Sequence, residues 1–483
     1  MVEYEPVIGM EVHVELQTRT KMFCGCEVAF GGEPNTRCCP VCLGLPGSLP
    51  VINERAVELM ARAALALNCT IAPQCIFHRK NYYYPDLPKN YQISQYDNPL
   101  GVNGYVEILA GGKPKKIAIR RVHMEEDTGK LLHVQGNRSY VDYNRSGVPL
   151  MEIVTQNPPP EGLDQIESAE EAREYLQRLR QILLYLGVSD VKMEEGSMRC
   201  EPNISVRPKG QEEFGVKTEI KNLNSFRAVY LGVDYEINRQ IRVLREGGRV
   251  VQETRRWDDE RGVTTPMRSK EFEQEYRYFP DPDLVPLRFT EDWIAALRSD
   301  LPELPIEKIR RFVSDYGISQ TDAEILADTR ELADFYDSCA KSSKDPKAVA
   351  NWLTGEFLRL LNATGTSVAR TMLTPWHVTG LLDLIDAGTI NRNTAKTVFE
   401  EMFRTGRTAS EIVKQKGLEQ VTDASAIESA VDRILAANPN EVRRFRAGEE
   451  KLLGWFVGQV MRETKGKANP GVVNELLRRK LSE

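Results

Sequence analysis

Residues 7–16 constrain the fold most: Ile8, Met10, Val12, Val14 and Leu16 share one face, and Gly9, Glu11, His13 and Glu15 the other. Strict apolar–polar alternation has the two-residue period of a half-buried strand; a helix would scatter the same apolar side chains around its axis. Shorter extended runs follow at residues 102–109, 116–122, 139–143 and 150–155, with Gly and Pro between them. Two helical patterns interrupt the strands, at about residues 164–186 before Gly187 and 225–245 before Gly247 and Gly248. Strands and helices come in batches instead of alternating as βαβ units, which predicts an α+β body with antiparallel pairing.

After residues 277–283 the pattern changes to helices with Pro, Gly and Ser/Thr/Asp boundaries, for example at 305–316, 347–361, 375–387, 393–404 and 472–481. Three domains are therefore expected: an α+β body over residues 1–292 with a cysteine-rich loop, an all-α domain over 293–407, and a small helical tail over 408–483. The 483 residues are 41% apolar and 28% charged, an ordinary soluble composition with room for several cores. No window approaches 18 consecutive apolar residues, so no membrane span is expected. The first residues lack the basic and apolar regions of a signal peptide, and nine cysteines are too few and odd in number for a disulfide scaffold. The expected location is the cytoplasm, with reduced thiols.

Charge is distributed unevenly. Residues 441–483 carry ten Lys/Arg against six Asp/Glu, whereas the preceding 440 residues carry 54 against 64. A basic tail behind an acidic body suits RNA, and a solvated helical face accounts for it equally well.

Cysteine spacing is the sharpest chemical signal. Cys24 and Cys26 precede Cys39 and Cys42 by a short loop, as sulfur ligands of a structural zinc do, with Cys38 as a rival ligand. Inert buried thiols are the alternative, and the solitary Cys69, Cys75, Cys200 and Cys339 fit that description. A second signal is the polar face of the first strand. Glu11, His13 and Glu15 point one way, His123 is followed by Glu125, Glu126 and Asp127, and Glu152 interrupts an apolar run. Carboxylates with an imidazole suit Mg²⁺, while exposed strand faces with one buried salt bridge would use the same residues. A third cluster holds Arg79, Lys80, Tyr82–Tyr84, Lys89 and Tyr91, either a loop for an anion or base or an aromatic cover over the core. No P-loop, dinucleotide-binding glycine motif or nucleophile elbow occurs, nor an amidase signature, so the chain is not expected to hydrolyse glutamine itself.

Residues 8–16, 24–47, 79–86, 91–95, 123–130, 190–196, 219–226, 276–286 and 465–470 together resemble the B subunit of the tRNA-dependent amidotransferases, a family that converts Glu-tRNA(Gln) and Asp-tRNA(Asn) to their amidated forms. The resemblance spans the chain. It implies a cradle-like antiparallel-sheet catalytic domain similar to glutamine synthetase and guanido kinases. It also implies an ATP-dependent ligase that phosphorylates the side-chain carboxylate of the misacylated residue. Ammonia is then expected through a tunnel from a glutaminase partner, with a small third protein completing a heterotrimer. By the same resemblance His13, Glu126 and Glu152 hold Mg²⁺ with Glu11 beside them, and Lys80 and Lys89 stand at the inner mouth of the tunnel. Cys24, Cys26, Cys39 and Cys42 hold structural Zn²⁺. Arg443, Arg444, Arg446, Lys465 and Lys467 are placed to meet tRNA phosphates. A non-catalytic tRNA-binding scaffold and a freestanding carboxylate–amine ligase are the rival functions.

Overall fold

The computed structural model describes residues 2–133, 138–269, 275–419, 424–464, 468 and 470–482, and divides into two compact units, residues 1–306 and 307–483. The first unit is built on a nine-stranded sheet. Across it the strands run Val263–Ser269, Glu253–Asp258, Thr218–Lys221, Met198–Pro208, Tyr4–Glu15, Pro149–Thr155, Lys113–Glu126, Gly101–Ala110 and Thr70–Ile71. The alternating segment thus becomes a central strand, Tyr4–Glu15, with Ile8, Met10, Val12 and Val14 fully buried. That face packs under the helices Glu54–Ala66, Ala169–Leu186 and Phe226–Arg245 in one continuous apolar core. The opposite face carries the polar half of the alternation.

The α+β reading holds, with one local difference. Thr218–Lys221 pairs in parallel with Glu253–Asp258, because the chain between them is the crossover helix Phe226–Arg245, which returns the next strand in the same direction. The earlier helix begins later than its sequence pattern, at Ala169, since Ile166 is held extended by the Ile8 amide at 3.1 Å and the Ser168 hydroxyl caps Glu171. It stops at Gly187, whose φ of 63° is the left-handed conformation that ends helices.

The second unit is helical, as expected. The run read as one helix at 347–361 is Pro346–Trp352, a π-helical turn Leu353–Phe357, and Leu358–Thr364. From residue 424 the helices Ala424–Ala437, Leu452–Glu463 and Pro470–Ser482 surround a core of Val431, Phe456, Val460, Val473 and Leu477. Among the described residues no helix is long and apolar enough to cross a membrane.

Candidate active site

Strand register assembles the site. His13 lies directly opposite Glu152, and Glu152 directly opposite His123, so three adjacent strands set imidazole, carboxylate and imidazole in one row on the face without helices. Glu152 Oε2 is 3.5 Å from His13 Nε2 and 3.2 Å from His123 Nε2. Glu125, two residues from His123 and therefore on the same face, brings Oε1 to 3.6 Å and Oε2 to 4.0 Å from the two rings. Glu11 Oε1 is 3.8 Å from His13 Nε2. The row floors a cleft of about 1130 Å³ rimmed by Lys80, Arg121, Arg199, Lys217 and Lys221 and walled by Tyr82, Tyr96, Tyr276 and Tyr278.

Electrostatics mark this floor as short of positive charge. Burial, reinforced by Glu152, pushes the Glu11 carboxyl up to about 7. Burial pulls the His13 imidazole down, yet Glu152, Glu125 and Glu11 together prevail and raise it to about 9. Burial likewise opposes ionisation of Glu152, but His123 and His13 hold it well below the usual carboxylate range. Lys80 is pushed up against the effect of its own burial, chiefly by Glu125. The donor atoms of Glu11, His13 and Glu152 lie within 4.8 Å of one another, as do those of His123, Glu125 and Glu152. Six-coordinate Mg²⁺ with ligands at about 2.1 Å brings neighbouring donors to about 3 Å, a small contraction of these sets. The residues present therefore fit a divalent ion.

Of the expected trio His13, Glu126 and Glu152, the structure brings His13 and Glu152 together on this floor and places Glu126 elsewhere. Successive side chains of a strand alternate, so Glu126 faces away from Glu125. Its carboxylate pairs with Lys89 and accepts the Ile93 amide at 2.9 Å. Glu125 occupies the place beside His13. The two lysines also part company: Lys80 lines the cleft with its ammonium 4.9 Å from the Tyr276 ring centroid, whereas Lys89 and Glu126 line a narrow cavity of about 70 Å³. Gly44 closes against this pair with a φ of 66°, and a Cβ there would collide with the Lys89 side chain.

The same narrow cavity is bounded by Cys24 and Cys42. The thiol sulfurs of Cys24, Cys26, Cys39 and Cys42 lie within 4.8 Å of one another, close to the edge of about 3.8 Å that a tetrahedron of 2.3 Å zinc–sulfur bonds requires. Cys38, the rival, is not in the group. The Cys24 thiol beside it, the Cys39 amide at 3.1 Å and the buried Lys21 ammonium all hold the Cys42 thiol well below its ordinary range. Cys69 and Cys75, by contrast, are pushed up by burial to about 12 and about 11, as inert thiols are. The four clustered sulfurs could hold zinc with no open coordination position.

In the second unit Arg443, Arg444 and Arg446 lie on or at the end of the helix Pro439–Arg446. Arg444 pairs with Glu449 at 2.7 Å, Arg446 donates to the Leu481 carbonyl at 3.2 Å, and Arg443 donates to Asn440 at 2.6 Å. Lys465 and Lys467 lie outside the described residues. Two arginines outside the expected site set also belong to the cleft. Arg121 reaches Glu152 at 4.0 Å, and Arg199, directly opposite His13, donates to the buried Asp127 at 2.8 Å. Their signal is register: each is on the same face as His13 once the strands are paired.

Residues 6–295 match the model of the GatB/GatE catalytic domain, and residues 334–481 match that of the GatB domain. The B subunit of the aspartyl/glutamyl-tRNA(Asn/Gln) amidotransferase of Carboxydothermus hydrogenoformans is 56% identical over 488 residues, covering 100% of both chains. Its counterpart in Thermodesulfovibrio yellowstonii is 54% identical over 481 residues, again covering 100% of both. That of Moorella thermoacetica is 55% identical over 482 residues, covering 99% of this chain and 100% of its own.

Proposed function

The chain belongs to the GatB family of amidotransferase B subunits, and on that premise we propose that its cleft activates the side-chain carboxylate of Glu-tRNA(Gln) or Asp-tRNA(Asn) with ATP and then amidates it. The observation that carries this reading is the row His13–Glu152–His123 with Glu125 on the floor of a cleft rimmed by cations. A carboxylate is a poor electrophile because its oxide does not leave. Transfer of the γ-phosphoryl group to a carboxylate oxygen makes a mixed anhydride; ammonia then adds to the carbonyl carbon, and phosphate departs with that oxygen. The first step brings two anions together and is governed by positioning and charge neutralisation.

The chain supplies both. His13, Glu125 and Glu152, with Glu11 beside them, would hold Mg²⁺, which neutralises phosphate charge when bound. Lys80, Arg121 and Arg199 surround the same floor and orient anionic oxygens. Lys89 and Glu126 face the narrow cavity, where ammonia from the glutaminase partner would arrive, with the small third protein completing the heterotrimer. Cys24, Cys26, Cys39 and Cys42 would hold zinc, which would keep the wall of that cavity in shape. The division of the helical part near residue 407 stands as a proposal, with the tail gripping tRNA through Arg443, Arg444, Arg446, Lys465 and Lys467. Cytoplasmic protein synthesis is the setting.

The test is amidation of Glu-tRNA(Gln) by the chain assembled with the glutaminase and the small third protein, with ATP, Mg²⁺ and ammonium chloride in place of glutamine. Wild type is expected to form Gln-tRNA(Gln), and Glu125→Gln to lose that product while still binding tRNA. Full activity of the variant would move the chemistry to another chain. ATP turnover with free glutamate and no tRNA would favour a freestanding ligase instead.

A further inference from the structure

We propose that the cleft floor is a dinuclear centre, with one divalent cation on His13 and Glu11, a second on His123, and Glu125 and Glu152 bridging them. The inference deepens the kinase reading of this cleft and rests on it for its purpose, though not for its geometry. Its first support is the sharing of oxygens. A single Glu152 oxygen, Oε2, stands 3.5 Å from one imidazole nitrogen and 3.2 Å from the other. Glu125 divides its carboxylate, with Oε1 nearer His13 at 3.6 Å and Oε2 nearer His123 at 4.0 Å. Carboxylates that present donors to two imidazoles at once are what a pair of ions about 3.5–4 Å apart requires.

The second support is His123 itself. Its side chain is 3% exposed, its Nε2 is directed at Glu125 and Glu152, and its Nδ1 is buried without a hydrogen-bond partner. In a centre holding one ion on His13, Glu125 and Glu152, this ring would serve only as a hydrogen-bonding partner of Glu152. The donor set of His123, Glu125 and Glu152 is complete in its own right, and it shares Glu152 with the set of Glu11 and His13. Nitrogen and carboxylate oxygen donors without sulfur suit Mg²⁺ or Mn²⁺. Two ions also answer a chemical need: one can face the phosphate chain of the nucleotide while the other faces the incoming substrate carboxylate, so that both anions approach a cation.

Mn²⁺ serves as the probe, because its stoichiometry and electron paramagnetic resonance spectrum read the site without turnover. The full chain is titrated with Mn²⁺, and bound metal is counted separately from zinc. Wild type is expected to bind two Mn²⁺ and to show the broadened multiline spectrum of exchange-coupled ions. His123→Asn and His13→Asn are each expected to retain one ion, uncoupled. One Mn²⁺ per wild-type chain with a simple six-line spectrum would overturn the dinuclear centre and leave the single-ion kinase reading standing. So would two ions retained in His123→Asn. No Mn²⁺ at all would overturn both. The wild-type count decides the matter even if a histidine variant fails to fold.

Discussion

Adjacent residues Glu125 and Glu126 offer a sharp test, since the structure gives them different energetic roles. Glu126 and Lys89 form a buried pair with side chains 3% and 8% exposed, and the same carboxylate accepts the Ile93 amide at 2.9 Å. Glu126→Gln leaves the Lys89 ammonium buried without its counter-charge. Removing one partner of a buried pair costs about 3–5 kcal/mol. At about 2 °C per kcal/mol for a large domain, the melting temperature should fall by about 6–10 °C. Glu125 lies instead among charges of both signs, with Glu11 and Glu152 around His13 and with the His13 imidazole and the Lys80 ammonium drawn to it. Like charges about 4 Å apart repel by about 1–4 kcal/mol between the limits of bulk water and a protein surface. That repulsion is offset by the attraction to His13 and Lys80, so Glu125→Gln should change the metal-free melting temperature much less than Glu126→Gln. What it removes is the response to Mg²⁺, which binds the folded cluster and stabilises it by mass action.

Thermal unfolding of wild type and both variants, with and without Mg²⁺, reads this directly. Wild type and Glu126→Gln should gain stability on addition of Mg²⁺, and Glu125→Gln should not. In the ammonium-supported assay Glu125→Gln should lose about 10²-fold or more in rate, the usual consequence of removing one charge-organising group. The reasoning is refuted if Glu126→Gln melts within about 2 °C of wild type and loses the Mg²⁺ response while Glu125→Gln keeps it, for the strand would then present the other face.

Cys39→Ser should release zinc, measured by elemental analysis as a fall from one ion per chain to about a tenth or less, since a structural site needs all four ligands. Because Cys24 and Cys42 border the cavity of Lys89 and Glu126, that variant should lose glutamine-supported amidation more than ammonium-supported amidation. In the helical unit the Asp337 carboxylate accepts from Arg311 at 2.8 Å and from Lys341 at 2.8 Å; these partners and the Tyr316 hydroxyl outweigh its burial and hold it low. Its stabilisation is present above the unfolded value of about 3.9 and is lost as pH falls below it, so Asp337→Asn should destabilise the unit by about 1–3 kcal/mol at pH 7 and flatten its acid-unfolding profile. Ending the chain at Glu419 keeps the helix Ala409–Lys416, whose Ile412 and Val413 are buried, and removes the tail core. Affinity for Glu-tRNA(Gln) should then fall at least about tenfold, with a shallower salt dependence; unchanged binding would end the tail's role in RNA recognition.

What the sequence made legible was whatever depends on one segment at a time. The two-residue period of residues 7–16 announces a strand with a buried and a polar face, and Gly187 announces the end of a helix, because both are local consequences of side-chain direction and backbone freedom. The cysteine quartet was legible for the same reason, its pairs being close in sequence on either side of a short loop. What stayed hidden depends on pairing between segments far apart. The parallel step between Thr218–Lys221 and Glu253–Asp258 follows from where the crossover helix returns the chain, which no single segment encodes. The site itself is a matter of register. In the run from His123 to Asp127, alternation alone says that Glu125 shares a face with His123 and Glu126 does not, but it does not say which face meets His13. That is decided when Glu152 pairs with His13 on one side and His123 on the other. A slip of one residue between these strands would exchange the two glutamates, putting the Lys89 partner on the cleft floor and the metal donor in the narrow cavity. The apolar residues that alternate with them prevent it: Met124 and Val122 are fully buried under the helices, and moving them to the cleft face would expose both. The hydrophobic face of the sheet thus fixes which carboxylate reaches the histidines, and packing on one side of the strand selects the chemistry on the other.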